Sequence, residues 1–187
     1  ETSYITESLA EEEYTDFKPL SNLNISSPLM ILMTSGTSGF PKGVTISHKN
    51  LIHSCQTISD YLDYKKHPST AIVLPLYYSY GLLSQLFSML FVGGFSRLIP
   101  DFHNIFSFSK IVNDLNLENF CGVPSTYDSL VRLNRIKKIN LPSVKTLCSA
   151  GAAMNTEAFT DIKDIFPNAL FFIISLNDFD ELYHLFI

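Results

Sequence analysis

The 187-residue chain is poor in three things, and each shortage removes a class of function. It has only three cysteines, Cys55, Cys121 and Cys148, an odd number with no C-x-x-C spacing, so neither a disulfide framework nor a zinc site is indicated. That usage fits a reducing, cytoplasmic compartment. The chain is also short of positive charge. Thirteen basic residues against eighteen acidic ones give a net charge of −5, which argues against an electrostatic grip on nucleic acid or anionic lipid. Finally, it has no membrane-length apolar run. The longest, from Gly81 to Phe95, is interrupted by Ser84, Gln85 and Ser88 and falls short of the roughly 20 residues that span a bilayer, so it reads as a buried core helix. The opening ETSYITESLAEEEY has neither a basic start nor an apolar signal core, and begins with Glu1.

What is present is the material of a core: 46% of residues are hydrophobic and 17% charged, the balance of a folding chain. The length suits one domain or a piece of a larger one, with small molecules or proteins as partners. Residues 1–27 carry scattered acids and isolated apolar residues and read as a surface lead-in. Glu11, Glu12 and Glu13 read as a solvated face rather than a metal site. From Pro28 the run LMILM reads as a buried strand leading into a glycine-punctuated loop. Val44 to Ile46 is a short strand. Ser47 can cap the next helix, on which Leu51, Cys55, Ile58 and Leu62 share one face. Strands at Ala71–Leu76, Phe95–Ile99, Asn119–Val123, Val144–Cys148 and Ala169–Ile174 then alternate with helices at Leu82–Val92, Phe106–Leu115, Thr126–Leu133 and Thr156–Ile165. Apolar strands alternating with helices predict an α/β fold with a mostly parallel sheet flanked by helices.

The chain has only eight glycines, yet Gly36, Gly39 and Gly43 fall in one eight-residue window. The segment Thr34-Ser35-Gly36-Thr37-Ser38-Gly39-Phe40-Pro41-Lys42-Gly43 follows a predicted strand and combines flexible backbone, hydroxyls and one lysine. Glycines let backbone N–H groups surround an anion, hydroxyls donate or reach a metal ion, and an ammonium neutralises phosphate charge. A plain Ser/Thr/Gly surface loop has the same composition, so composition leaves both readings open. The Walker pattern fails, because Pro41 precedes Lys42 and Gly43 follows it.

The order of residues in MTSGTSGFPKGVTISHKNL resembles the Ser-Gly-Thr-Thr-Gly-x-Pro-Lys-Gly signature of the adenylate-forming superfamily, with Ser38 in place of the second threonine. That superfamily holds acyl-CoA synthetases, peptide-synthetase adenylation domains and firefly luciferase. The resemblance implies that Thr34, Ser35, Gly36, Thr37, Ser38, Gly39 and Lys42 bind the phosphates of ATP, with Thr34 reaching magnesium. Leu74-Pro-Leu-Tyr-Tyr-Ser-Tyr-Gly-Leu82 looks like the family's Pro-Leu-Phe-His-x-x-Gly block, placing Tyr78 where histidine is common. A phenol cannot do imidazole's proton chemistry near neutral pH, so Tyr78 is expected to orient or pack in an acyl pocket. At least two of Tyr77, Tyr78 and Tyr80 are expected to be core or rim aromatics. Gly122, Val123 and Pro124 resemble the Val-Pro block beside the substrate tunnel. Ser149-Ala-Gly-Ala-Ala153 resembles the Gly-Gly-Ala-Pro-Leu block against the adenine ring, implying Ser149, Gly151 and Ala152 as adenine-binding residues. The same small residues also suit a tight strand-to-helix turn. His48 and His53 have no paired acid evident and are read as structural or surface residues.

The family's chemistry is activation of a carboxylic acid with ATP and magnesium to an acyl-adenylate, followed by transfer to a thiol such as coenzyme A or a carrier. Charge is the obstacle, since a carboxylate must attack an anionic phosphate. After the Ala169–Ile174 strand the family's Tyr-Gly-x-Thr-Glu block is expected, and SLNDFDELYHLFI stands there instead. Glu181, between Asp180 and Leu182, does not restore it. The resemblance runs from about Pro28 to Phe172, so residues 28–174 are expected to be a partial AMP-binding domain of an acyl-CoA synthetase-like ligase. Residues 175–187 are expected to be a divergent tail of a truncated or frameshifted product, which lacks the mobile C-terminal domain and its lysine. Such a piece is expected to be inactive alone and to pair with a complementary chain. The alternatives are a nucleotide- or partner-binding module without chemistry, and a structural α/β domain whose loop binds nothing.

Overall fold

The computed structural model describes residues 23–34, 42–100, 102, 104–152 and 158–173. Strand β1 (Pro28–Thr34) pairs antiparallel with β2 (Lys42–Ser47) as a separate two-stranded sheet. Helix α1 (His48–Tyr61) follows directly. Its start is set by Ser47, whose hydroxyl accepts the Asn50 N–H at 3.1 Å while Asn50 Oδ1 accepts the Ser47 N–H at 3.1 Å. This reciprocal pairing satisfies two of the donors a helix start leaves open.

The remaining strands, β3 (Ser69–Ile72), β4 (Phe95–Leu98), β5 (Asn119–Gly122), β6 (Thr146–Ser149) and β7 (Leu170–Ile173), form one sheet in the order β4-β3-β5-β6-β7. Every neighbouring pair in it is parallel. The helices between them are α2, a π-helical stretch Tyr80–Phe87 running on as α-helical Ser88–Phe91, then α3 (Ile105–Asp114), α4 (Pro124–Ile136) and α5 (Ala158–Ile165).

Side chains alternate across the sheet, as the pleat requires. Phe120 and Leu147 pack on one face with Phe108, Val112, Tyr127, Leu130 and Phe166 from α3, α4 and the end of α5. Cys121 and Cys148 pack on the other face with Ile58, Leu62, Tyr64 and Met89 from α1 and α2. The sheet is thus buried on both faces, which is why its strands read as nearly continuous apolar runs.

Several boundaries move for identifiable reasons. The third predicted strand is displaced from Ala71–Leu76 to Ser69–Ile72. Polar side chains pin its start: Asn119 Nδ2 donates to Ser69 O at 2.8 Å, and Ser69 Oγ accepts the Glu118 N–H at 3.1 Å. Pro75, without an N–H, cannot extend the ladder at the other end. Helix α2 starts at Tyr80, two residues before the apolar periodicity begins, and its first part is π-helical. The expectation of a buried first strand is corrected. Leu29, Ile31 (65% exposed) and Met33 (63% exposed) of β1 face outward, because an apolar run shows what a strand can bury and burial itself needs a covering element. Among the described residues no helix is long and apolar enough to cross a membrane.

Candidate functional site

In open parallel sheets, ligands bind outside the carboxyl ends of the strands. Here β5 and β6 end side by side, with Gly122 and Ser149 as register partners. From Gly122 the chain turns through Val123 into α4. Pro124 occupies the first turn of that helix, where its fixed φ and missing N–H cost nothing. The turn is closed by Thr126, whose Oγ1 accepts the Val123 N–H at 3.3 Å. A Cβ on Gly122 would stand 3.0 Å from Thr126 Cβ and Cγ2, so the tight exit admits no side chain without moving Thr126.

From Ser149 the chain leaves β6 through Ala150, whose N–H donates to Gly122 O at 3.4 Å, and reaches Gly151 with φ +91°. That backbone conformation favours glycine. A Cβ on Gly151 would lie 3.7 Å from Val123 Cγ1, so the two loops touch. Two motifs separated by almost thirty residues in sequence therefore converge: Gly122, Val123 and Pro124 on one side, Ser149, Gly151 and Ala152 on the other. Ser149 is fully buried, and among the described residues its Oγ has no hydrogen-bond partner. A buried hydroxyl in that state costs on the order of 1–3 kcal/mol. Gly151 and Ala152 beside it are exposed. The combination is an open, small-residue surface with one unsatisfied polar atom behind it, suited to a flat polar ring.

The carbonyl just before Ser149 is held from both faces of the sheet. Tyr80 OH donates to Cys148 O at 2.9 Å, and Tyr127 OH donates to the same oxygen at 2.8 Å. Burial pushes both phenols well above their ordinary pKa, so both remain protonated donors. Beneath them Cys121 and Cys148 are register partners. The hydrogen bond to Cys148, together with burial, pushes the Cys121 thiol well up. Tyr64 OH donates to Ser84 O at 3.0 Å and lies 3.6 Å from Cys121 Sγ. It thereby ties the π-helical stretch of α2 to the sheet. Gln85 Nε2 adds a bond to Ala71 O at 3.0 Å, and Ser88 Oγ donates to Leu83 O at 2.7 Å. Of the polar side chains that interrupt the apolar run, Gln85 fastens it to β3 and Ser88 closes a bond within it, whereas Ser84 contributes its backbone carbonyl.

Tyr78 lies between β3 and α2, 58% exposed, with its ring 4.6 Å from that of Tyr77. Tyr80, two residues on, is the tyrosine of this segment that bonds to the β6 end. The sequence placed Tyr80 among core and rim aromatics and gave Tyr127 no role. Helical spacing from Pro124 was the available signal for Tyr127. At the C-terminal ends of β3 and β4, Ile72, Val73, Leu74, Pro75, Leu98 and Pro100 line an apolar depression of about 300 Å³.

Of the predicted phosphate loop, the structure places the two ends. Thr34 and Lys42 are register partners at the mouth of the β1–β2 hairpin. Ser35, Gly36, Thr37, Ser38 and Gly39 lie outside the described residues, as do Pro41 and the tail 174–187. Among the described residues no cluster of three or more His, Cys, Asp or Glu could hold a metal ion.

Comparison with known proteins bears on the family and the fold. A family described as AMP-binding enzyme matches residues 1–174. The 4-coumarate–CoA ligase CCL1 of Humulus lupulus is 31% identical over 140 residues, 73% of this chain and 25% of that protein. The long-chain-fatty-acid–CoA ligase of Bacillus subtilis is 25% identical over 153 residues, 80% of this chain and 27% of that protein. The chain therefore spans about a quarter of the length of these curated relatives. In fold, it is similar to the N-terminal domain of FACL13 from Mycobacterium tuberculosis in an inhibitor-bound crystal structure. The TM-score is 0.72 at 17% identity, covering 86% of this chain and 39% of that one.

Proposed function

This chain belongs to the AMP-binding enzyme family, and from that premise we propose that it is the nucleotide-handling part of an AMP-forming acid–thiol ligase. Its relatives are ligases that join acids to coenzyme A. In the proposed reaction a carboxylate oxygen attacks the α-phosphorus of ATP and the bond to pyrophosphate breaks, leaving an acyl-adenylate. A thiol, coenzyme A in this reading, then attacks the acyl carbon and AMP departs. The parts assigned to this chain are binding and orientation. Lys42 and the hydroxyls and glycines of Thr34, Ser35, Gly36, Thr37, Ser38 and Gly39 hold phosphate charge, and Thr34 is the residue that would hold magnesium. Ser149, Gly151 and Ala152 receive the adenine, while Gly122, Val123, Pro124 and Tyr78 line the acid's approach. Magnesium, when bound, neutralises phosphate charge during the attack.

The observation that carries the reading is the convergence of two glycine exits, Gly122 and Gly151, at the carboxyl ends of adjacent parallel strands, with exposed small residues Gly151 and Ala152 beside them. Residues 28–174 are assigned to the adenylation domain, 1–27 to a surface lead-in and 175–187 to a divergent tail. Thiol ligation is assigned to the assembly of this chain with the remaining polypeptide of the ligase, supplied in cis or by a complementary chain. The three free thiols, all buried, support a reducing, cytoplasmic setting.

The test is paired: ATP binding by the 187-residue chain, and pyrophosphate–ATP exchange dependent on an added carboxylic acid. The expected result is saturable ATP binding without exchange. Exchange by this chain alone would overturn its assigned inactivity, and absence of binding would overturn the ligase reading. A second reading, a nucleotide-binding module outside any ligase, draws support from SLNDFDEL standing where Tyr-Gly-x-Thr-Glu is expected. It predicts that binding persists and that no complementary polypeptide restores exchange.

A further inference from the structure

The Cys148 carbonyl is an unusual acceptor. Tyr80 OH reaches it at 2.9 Å from the face covered by α1 and α2, where the Tyr80 ring packs against the cluster of Ile58, Leu62 and Met89. Tyr127 OH reaches it at 2.8 Å from the opposite face, out of the core beneath α3 and α4, and also lies 3.4 Å from Phe120 O. The two phenols thus close on one backbone oxygen through the thickness of the sheet. That oxygen immediately precedes Ser149, Ala150 and Gly151. Strand ends fray because they lose ladder partners on their outer side, and those that leave into exposed loops fray most. Two side-chain bonds to the carbonyl of the next-to-last strand residue oppose that.

We propose that Tyr80 and Tyr127 are positioning residues that lock the end of β6, and through it fix the Ser149–Ala152 turn in the geometry that receives the nucleotide base. The inference rests on the assignment of that turn to adenine made above. It adds a consequence for the segment between β3 and α2. Because Tyr80 opens α2 and follows Tyr77 and Tyr78, the clamp joins the proposed acid-side segment to the base-side strand by one hydrogen bond.

The test uses the full chain carrying Tyr80→Phe, Tyr127→Phe or both, which keeps the rings and their packing and removes only the donors. Two ligands separate the ends of the nucleotide: AMP, which needs the base turn, and inorganic tripolyphosphate, which needs only the phosphate loop. Each single variant is expected to raise the Kd for AMP by about three- to tenfold, as loss of one neutral hydrogen bond does, with tripolyphosphate affinity unchanged. Equal losses for both ligands would show general loosening and overturn the proposal, as would unchanged AMP affinity in both variants.

Hydrogen exchange gives an arm independent of any ligand. The Ala150 amide, bonded to Gly122 O, is expected to exchange about fivefold or more faster in each variant, whereas the Ile99 amide, bonded to Ile72 O at 2.9 Å on the far side of the sheet, keeps its rate. If Ala150 and Ile99 accelerate together, or neither moves, the clamp has no local role and the proposal fails. If Ala150 alone accelerates but unaltered chain binds neither AMP nor tripolyphosphate, the adenine assignment fails while the mechanical clamp stands.

Discussion

Single atoms decide the site at the residue scale. Gly151 sits at φ +91°, and with Val123 Cγ1 at an ordinary 3.7 Å from a built Cβ the obstacle to a side chain there is backbone strain rather than a clash. Gly151→Ala is expected to cost about 1–3 kcal/mol in urea unfolding and to weaken AMP binding more than tripolyphosphate binding. Gly122 is the opposite case, since its built Cβ meets Thr126 at 3.0 Å. Gly122→Ala forces Thr126 to move and strains its bond to the Val123 N–H, an expected loss of about 1–3 kcal/mol in the same measurement. At the other end of the nucleotide, Lys42→Ala is expected to reduce tripolyphosphate affinity about tenfold or more, the scale of one charge-assisted hydrogen bond. Titration calorimetry separates these effects, because the glycine variants act on the base and the lysine variant on the phosphates.

Elements explain what the sequence could and could not show. The alternation of strand and helix, the cap at Ser47 and the proline in the first turn of α4 are local signals that the structure keeps, whereas the strand expected over Asn119–Val123 ends one residue early and leaves Gly122 at its exit. The mostly parallel sheet followed from apolar runs on strands too short and too uniformly buried for alternation. The π-helical start of α2 left no trace, because the spacing of Leu82, Leu83 and Leu86 accommodates either helix type. What fixes it is tertiary: Tyr64 from beyond α1 bonds Ser84 O, and Gln85 reaches back to β3. For the same reason the sequence pointed to Tyr78 in this segment, whereas Tyr80 is the residue that bonds β6. The buried tyrosines carry a pH consequence. Burial raises Tyr64, Tyr80 and Tyr127 above the phenol value of about 10, so in the unfolded chain they ionise first. Their contribution is therefore complete below pH of about 10 and is lost as pH rises beyond it. Urea midpoints are expected to fall steeply above that pH, and Tyr127→Phe is expected to flatten the fall.

For the whole molecule, one core is complete and one surface is not. The parallel sheet is covered on both faces, with Phe120 and Phe166 stacked at 5.9 Å in its middle. Phe120→Ala is expected to cost about 3–5 kcal/mol, the usual penalty for emptying a buried aromatic site. By contrast the β1–β2 hairpin turns Leu29, Ile31 and Met33 outward, and Leu170 and Ile173 are exposed on the edge strand β7. The motif order predicted the family, but the exposure of β1 could not be read from its apolar run. The proposed nucleotide site draws on different parts of the fold, with Thr34 and Lys42 at the mouth of the hairpin and the Ser149–Ala152 turn at the end of β6. The most direct test of that claim is thermal unfolding of the 187-residue chain with and without ATP. Ligand at a hundred times its Kd adds about 2.7 kcal/mol to a chain that binds only when folded, so a rise of several degrees in Tm is expected with ATP, and a smaller rise with the same concentration of tripolyphosphate. A folded chain whose Tm is unmoved by millimolar ATP would contradict the account.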